Sequence, residues 1–294
     1  MDRTLILFYS TMWGAPLDLK GLILPEGCEI STDRDTLEEA DAVVFHLPQL
    51  GRYPPLQKRE GQIWVAWSME CEKYYPIEPQ TESSYTFDLT MTYKRQSDVL
   101  IPYYYPELRE KFQKPVRKKS KRKLAAMFES SGHNQSKRLE YTRELMQHLE
   151  IHSYGKRFKN RNLPDDRGRE TKMNVISEYK FTLAFENAIA PDYVTEKFFD
   201  PLVAGSVPIY LGAPNIKEFA PGEHCYIDTS DFTSPKHLAK FIKNLNKEAD
   251  AYAAYHAWRE MPLRPEFQSM LEEVAVHPFI RLCRKVQAIR EGLR

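Results

Sequence analysis

Three things are scarce in this sequence of 294 residues, and each narrows what the protein can be. No apolar run approaches the roughly 20 residues that a membrane-spanning helix needs. The formal net charge is only +1, which argues against a general nucleic-acid binder, because such proteins usually carry a strongly basic face. The four cysteines are far apart and none has CxxC spacing, so we expect free, buried thiols. They are Cys28, Cys71, Cys225 and Cys283.

The N-terminal sequence MDRTLILFYSTMWG is not a convincing signal peptide, because its apolar stretch is short. Residues 4–9 are better interpreted as a first strand. We therefore expect a cytoplasmic, bacterial protein with at most peripheral contact with the inner membrane. A soluble fragment of an anchored enzyme is the alternative.

Short apolar runs alternate with polar segments along the chain, which predicts parallel sheets covered by helices. The predicted strands are 4–9, 42–47, 63–67, 99–103, 123–128, 151–155, 179–187 and 207–212. The predicted helices are 32–40, 54–62, 136–150 and 194–205, and the tail from 235 onward is largely helical in pattern. The expected fold is α/β, with two Rossmann-like, doubly wound halves that face a crevice. Ligands of such folds bind beyond the carboxyl ends of strands.

Residues 111–123, KFQKPVRKKSKRK, contain eight basic residues and no acidic one. A block of like charge is typically a solvated linker, and contact with a polyphosphate or an acidic surface is the alternative. The predicted domains are therefore 1–115, 116–270 and a C-terminal helical segment, 271–294.

Polar side chains gather at two predicted strand ends in the second half. The loop after strand 123–128 opens a helix whose first turn holds Arg138, where backbone N–H groups and the helix dipole favour an anion. The loop has neither P-loop nor GxGxxG spacing. Lys197 lies in the first turn of the next helix, contrary to the dipole preference, which a bound anion would explain. The side chains that converge there are Glu186, Asn187, Tyr193, Glu196 and Lys197. Their convergence predicts a site, and solvated surface residues are the alternative.

Glu70 follows the apolar strand 63–67 in the first half. If the Glu70 carboxyl lies against Trp67 and Met69, desolvation should raise its pKa. A raised pKa suits a general base. A solvated loop glutamate is the alternative.

These stretches resemble glycosyltransferase family 10, the α1,3/1,4-fucosyltransferases. The most specific match is YKFTLAFENAIAPDYVTEKFFDPLVAGSVPIYLGAP, residues 179–214. Further similar segments are 64–71, 87–106, 130–145, 151–156 and 277–286. Gln96 departs from the family pattern, which usually has an aspartate there.

The resemblance implies a glycosyltransferase-B fold and an inverting α1,3-fucosyltransferase. GDP-β-L-fucose would be the donor, and a hydroxyl of an N-acetylglucosamine-containing glycan, such as N-acetyllactosamine, the acceptor of a Lewis-type product. No cofactor or metal site is implied, and a divalent cation would be at most a stimulant.

The resemblance also implies roles for individual residues. Glu70 would be the catalytic base, and Arg138 and Lys197 would bind the diphosphate. Glu196 would also be catalytic, by stabilising positive charge at the sugar. The side chains expected to hold the ribose and the fucose are Asn187, Tyr193 and Glu196.

Two other functions fit the sequence less well. One is a two-domain glycosyltransferase that uses another nucleotide sugar. The other is a glycan- or nucleic-acid-binding module that uses residues 111–123. The choice between type 1 and type 2 acceptor chains, α1,3 or α1,4 linkage, and the oligomeric state are left open by the sequence.

Overall fold

The computed structural model describes residues 3–77, 85–119, 123–163 and 165–292. The chain divides into two compact units. Unit 1 is Met1–Pro102 together with Glu273–Arg294, and unit 2 is Tyr103–Glu272. The structure thus places the boundaries elsewhere than the predicted 115/116 and 270/271, and the C-terminal segment belongs to unit 1.

Unit 1 contains a parallel sheet of six strands in the order β2-β1-β3-β4-β5-β6. The strands are β1 Thr4–Phe8, β2 Cys28–Ser31, β3 Ala42–His46, β4 Ile63–Ser68, β5 Leu89–Thr92 and β6 Val99–Leu100. Every residue of β1, β3 and β4 is buried, which explains their continuous apolar character.

Unit 2 contains a second parallel sheet, of five strands in the order β11-β10-β9-β7-β8. The strands are β7 Ala125–Met127, β8 Ile151–Ser153, β9 Phe181–Phe185, β10 Val207–Leu211 and β11 Ile227–Asp228. The α-helices of the described residues are α1 Leu108–Phe112, α2 Arg138–Leu145, α3 Arg169–Ile176, α4 Glu196–Ala204, α5 Pro235–Leu245, α6 Ala249–Ala254, α7 Pro265–Glu273 and α8 Pro278–Arg290. Because α2 and α4 each follow a strand of this sheet, their N-termini lie where the predicted site residues gather.

The α/β class and all eight predicted strands are confirmed, and three short strands, β2, β5 and β11, were missed. Two predicted helices are wrong. Residues 54–62, all of them described, contain no helix, and 32–40 contain only a 3₁₀ turn, Arg34–Thr36. The helical tail is confirmed, and Gly205 ends α4 in the left-handed conformation, φ 69°, which glycine adopts readily.

The tail helix α8 packs into the core of unit 1. Phe279, Leu282 and Val286 join the apolar cluster formed around β1, β3 and β4. Cys283 forms a disulfide with Cys28 at a Cα–Cα distance of 6.2 Å. The expectation of four free thiols is therefore wrong for this pair, and it is confirmed for Cys71 and Cys225, which are free and buried. A sequence separation of 255 residues gives no spacing signal for such a bond.

In the basic segment 111–123, Lys114, Arg117 and Lys118 are exposed, as expected of a solvated stretch, whereas Val116 and Lys119 are half-buried against other parts of unit 2. Val116 packs closely on Gly205: a Cβ added to the glycine would lie only 2.9 Å from Val116 Cγ1. The ammonium of Lys119 donates to the carbonyl oxygens of Ser177 and Ala204, at the ends of α3 and α4. Positive charge at helix C-termini is stabilising, which accounts for the burial of this lysine. Residues 120–122 lie outside the described residues.

Over the described part of the chain, we find no helix with both the length and the apolar character needed to cross a membrane.

Candidate functional site

The N-terminus of α4 is organised by Glu186, the first residue after β9. This carboxylate is fully buried and accepts hydrogen bonds from the backbone N–H and the hydroxyl of Thr195, at 2.8 and 2.9 Å. Thr195 in turn caps α4 by accepting the N–H of Lys197 at 3.3 Å. Glu186 therefore fixes the start of the helix that carries Glu196 and Lys197.

Lys197 is held by protein carboxylates. Its Nζ lies 3.4 Å from Glu186 Oε2 and 3.3 Å from Glu196 Oε1, and it donates to Thr195 Oγ1 at 3.1 Å. Burial alone would lower the pKa of Lys197, but Glu186 and Glu196 raise it above its ordinary value, so the side chain carries a charge. The anion that a lysine at this helix end requires is thus present already, in the carboxylate of Glu186.

Glu196 is the more accessible of the two acids beside Lys197, with 43% of its side chain exposed. Partial burial opposes ionisation, yet Lys197 and Lys172 lower the pKa of Glu196 below its usual value. An ionised carboxylate at the solvent edge can accept hydrogen bonds from sugar hydroxyls or stabilise nearby positive charge.

Arg138 begins α2, and its side chain is 1% exposed. Nη1 donates to the Phe185 carbonyl at 3.0 Å, and Nη2 lies 2.6 Å from Glu129 Oε1. Arg138 and Thr142 are buried on this helix, whereas Leu139 is only half-buried. The ion pair makes this possible, because a buried guanidinium requires a partner.

Glu129 is a site residue that the sequence analysis missed. It follows β7, and its side chain is only 9% exposed. Burial raises the pKa of this carboxyl to about 7, against the opposing charges of Arg138 and Lys197. Its position two residues after a parallel strand was the available signal.

Asn187 and Tyr193 lie where the sequence placed them but are buried. The Asn187 carbonyl accepts the Ser136 N–H at 3.1 Å, which joins the loop before α2 to the loop after β9. The ring of Tyr193 is 1% exposed and meets Tyr103 edge-on, with centroids 6.4 Å apart. Both side chains are therefore largely withdrawn from solvent.

A small cavity of about 20 Å³ lies at the carboxyl ends of β7 and β9. Its charged lining groups are Glu129, Lys197 and Lys172 of α3, another residue that the sequence analysis missed. Lys172 is bound at 3.0 Å by the buried carboxylate of Asp200. Together with Arg138, these lysines give unit 2 three cations, with several carboxylates beside them, at the carboxyl ends of its strands. This arrangement suits a polyanion that also presents hydroxyl groups.

Glu70 lies in unit 1, directly after β4, and is half-buried. Its backbone N–H donates to Ser68 Oγ at 3.1 Å, which fixes the turn. Burial raises the pKa of the Tyr75 hydroxyl, and the nearby charge of Glu70 raises it further. Glu72, the neighbouring acid, forms an ion pair with Lys94, so its carboxylate is already paired with a cation.

Among the residues that the structure describes, no three His, Cys, Asp or Glu side chains are grouped so that they could hold a metal ion. The Asp-x-Asp triplet in unit 1, Asp33-Arg34-Asp35, forms a local turn. Asp33 Oδ1 accepts the N–H of Asp35 at 3.0 Å, and the Arg34 guanidinium lies 4.5 Å from the ring centroid of Tyr53.

Two family profiles cover almost the whole chain. Residues 118–293 match the profile described as glycosyltransferase family 10 (fucosyltransferase) C-term, and residues 1–104 match the fucosyltransferase N-terminal profile.

Related proteins are 3-alpha-L-fucosyltransferases. The chain is 35% identical over 274 residues to the Pan troglodytes 4-galactosyl-N-acetylglucosaminide 3-alpha-L-fucosyltransferase FUT6, with 88% of this chain and 71% of that protein covered. It is 32% identical over 281 residues to the Homo sapiens 4-galactosyl-N-acetylglucosaminide 3-alpha-L-fucosyltransferase 9, with 88% and 72% covered.

Solved structures share the fold. An alpha1,3-fucosyltransferase with GDP superposes with a TM-score of 0.63 at 16% identity, over 99% of this chain and 90% of that one. One with GDP-fucose gives a TM-score of 0.59 at 17% identity, over 90% and 80%. These similarities confirm the predicted glycosyltransferase-B type of fold.

Proposed function

Because the chain belongs to glycosyltransferase family 10, the fucosyltransferases, we propose that it transfers L-fucose from GDP-β-L-fucose to an N-acetylglucosamine-containing glycan. The family match over both units is the observation that carries this proposal. The relatives are named as enzymes that act on 4-galactosyl-N-acetylglucosaminides, which favours an α1,3 linkage and a Lewis-type product here.

The donor is assigned to unit 2. A nucleoside diphosphate sugar is a polyanion with sugar hydroxyls, and the edge of the second sheet offers Lys197 and Arg138 for the phosphates. The partly exposed Glu196 suits the hydroxyls of the ribose or the fucose. Asn187 and Tyr193, which the family resemblance also assigns to the ribose and the fucose, are buried.

The reaction needs one bond made and one broken at the anomeric carbon of fucose. The acceptor oxygen forms a bond to the anomeric carbon while the bond between that carbon and the phosphate oxygen breaks. GDP leaves with the electron pair of the broken bond. The acceptor proton passes to Glu70, the proposed base. Attack from the face opposite the leaving group converts the β-linked donor into an α-L-fucoside. The transition state has oxocarbenium character, as in glycoside hydrolysis.

Charge develops on two groups during this step, and unit 2 has side chains for both. Lys197 and Arg138 stabilise the negative charge on departing GDP, and Glu196 stabilises the positive charge on the sugar. Because these cations are built into the protein, we propose that catalysis requires no metal, and that a divalent cation at most stimulates the rate.

Transfer assays with mass spectrometry test the proposal. GDP-fucose should be consumed with N-acetyllactosamine, and comparison with a type 1 chain decides the acceptor class. Thermal-shift screening should show stabilisation by GDP and none by UDP. Stabilisation by UDP, with no use of GDP-fucose, would instead support a glycosyltransferase with another donor.

A further inference from the structure

Glu129 places a negative charge beside the guanidinium of Arg138, which we assign to the diphosphate. We propose that Glu129 positions Arg138 and competes with the donor phosphates for its guanidinium, thereby limiting how tightly the enzyme holds GDP-fucose and GDP. This inference rests on the proposed function, since it concerns the same donor site.

The contact between Glu129 and Arg138 is close and shielded. Nη2 of Arg138 lies 2.6 Å from Oε1 of Glu129, with 1% and 9% of the two side chains exposed. Nη1 is already committed to the Phe185 carbonyl at 3.0 Å. A phosphate that binds this guanidinium must therefore share it with the Glu129 carboxylate or displace that carboxylate.

The backbone of Glu129 is fixed, so the residue cannot simply withdraw. Its carbonyl accepts the N–H of Arg157 at 2.8 Å. Gly155 packs so tightly on it that a Cβ there would lie 2.1 Å from the Glu129 oxygen. Competition can thus be relieved only by a rotation of the side chain or by its protonation.

Charged groups from four elements face Glu129. Arg138 comes from α2, Lys197 from α4 and Lys172 from α3, and Glu186 directly follows β9. Lys197, Lys172 and Glu186 are each engaged by other protein groups, Lys172 by Asp200. Arg138 is consequently the cation whose binding to phosphate depends most directly on Glu129.

The competition should depend on pH in a defined direction. Burial raises the pKa of Glu129 to about 7, so the carboxylate becomes protonated as the pH falls from 8 to 6. Loss of its charge weakens the competition, and GDP-fucose should bind more tightly at pH 6. The phosphates of GDP-fucose are both esterified and do not titrate in this range, so the change would come from the protein.

Calorimetry of E129Q tests the inference, with E144Q as the matched control. Glu144 is an exposed acid on α2, so E144Q removes the same charge outside the site. E129Q should bind GDP about tenfold more tightly at pH 8, the effect of removing roughly one pKa unit of interaction, and release it more slowly. Guanosine affinity should be unchanged in both variants, and E144Q should bind GDP like wild type.

Unchanged or weaker GDP binding by folded E129Q would overturn the inference. If E129Q does not fold, the pH series on the wild type decides, because GDP-fucose affinity that does not rise from pH 8 to pH 6 contradicts it. H133Q is the control there, because it removes the imidazole of the same loop, and the rise should persist in H133Q. A wild type that binds no GDP at all would contradict the proposed function as well, which separates the two failures.

Discussion

Glu186 and Lys197 lie 3.4 Å apart at the junction of β9 and α4, and the same carboxylate also holds Thr195. The positive charge of Lys197 at the proposed donor site is thus held by a buried carboxylate. E186A would leave Lys197 without its buried partner, and such losses cost about 3–5 kcal/mol. We expect chemical denaturation to show a decrease of this size. T195S keeps the capping hydroxyl and should unfold nearly like wild type, and an E186A protein as stable as wild type would contradict this role.

Glu70 is the residue whose change should affect chemistry and spare binding. E70Q keeps the shape and the hydrogen bonding of the side chain but loses its basicity. We expect transfer to slow by at least ~100-fold, because a general base contributes about that much. GDP affinity, measured by calorimetry, should persist. E72Q is the control, and near-normal turnover of E70Q with a slow E72Q would move the base to Glu72.

Lys197 and Arg138 should be distinguishable from fold-supporting residues by the ligand they affect. K197A and R138A each leave diphosphate charge unpaired, so both should weaken binding of GDP and GDP-fucose and slow transfer. Guanosine has no phosphates and should bind the variants and the wild type about equally. An equal loss of guanosine affinity in calorimetry would mean that these side chains support the fold instead.

The disulfide of unit 1 should stabilise the protein. Cross-linking Cys28 to Cys283 restricts the unfolded chain, and removing a native disulfide typically costs about 2–5 kcal/mol. The double variant C28S/C283S should lose stability of that order in denaturant titrations. Reductant should destabilise the wild type but not the double variant, and a wild type insensitive to reductant would contradict a stabilising bond.

Transfer should survive removal of metal ions. With Lys197 and Arg138 supplying fixed positive charge, we expect at least about a third of the rate to remain in excess EDTA, a barrier change below about 1 kcal/mol. Loss of nearly all activity, with recovery on adding Mg²⁺ or Mn²⁺, would show that the protein cations are insufficient.

Periodicity predicted the sheets well because continuous apolar runs such as β3 and β4 are buried on both faces. The short strands β5 and β11 escaped detection, since a strand of two to four residues has little pattern of its own. Residues 54–62 looked helical by their proline start and charge, but no apolar face supports a helix there.

Pairings over long sequence distances could not be predicted from local pattern. Cys28 and Cys283 meet only because α8 returns to the first sheet. Glu129 and Arg138 are similarly joined only by the fold of unit 2. Motif spacing did locate Arg138, Glu196 and Lys197, because each opens a helix after a parallel strand.

The linkage formed in a single defined reaction tests the central claim most directly. Purified protein, GDP-β-L-fucose and N-acetyllactosamine are combined, and the product is examined by NMR. We predict free GDP and an α-linked L-fucose on the 3-hydroxyl of N-acetylglucosamine. A β-linked product would contradict the inverting mechanism, and an unchanged acceptor with GDP-fucose, alongside transfer from a different nucleotide sugar, would contradict the function itself.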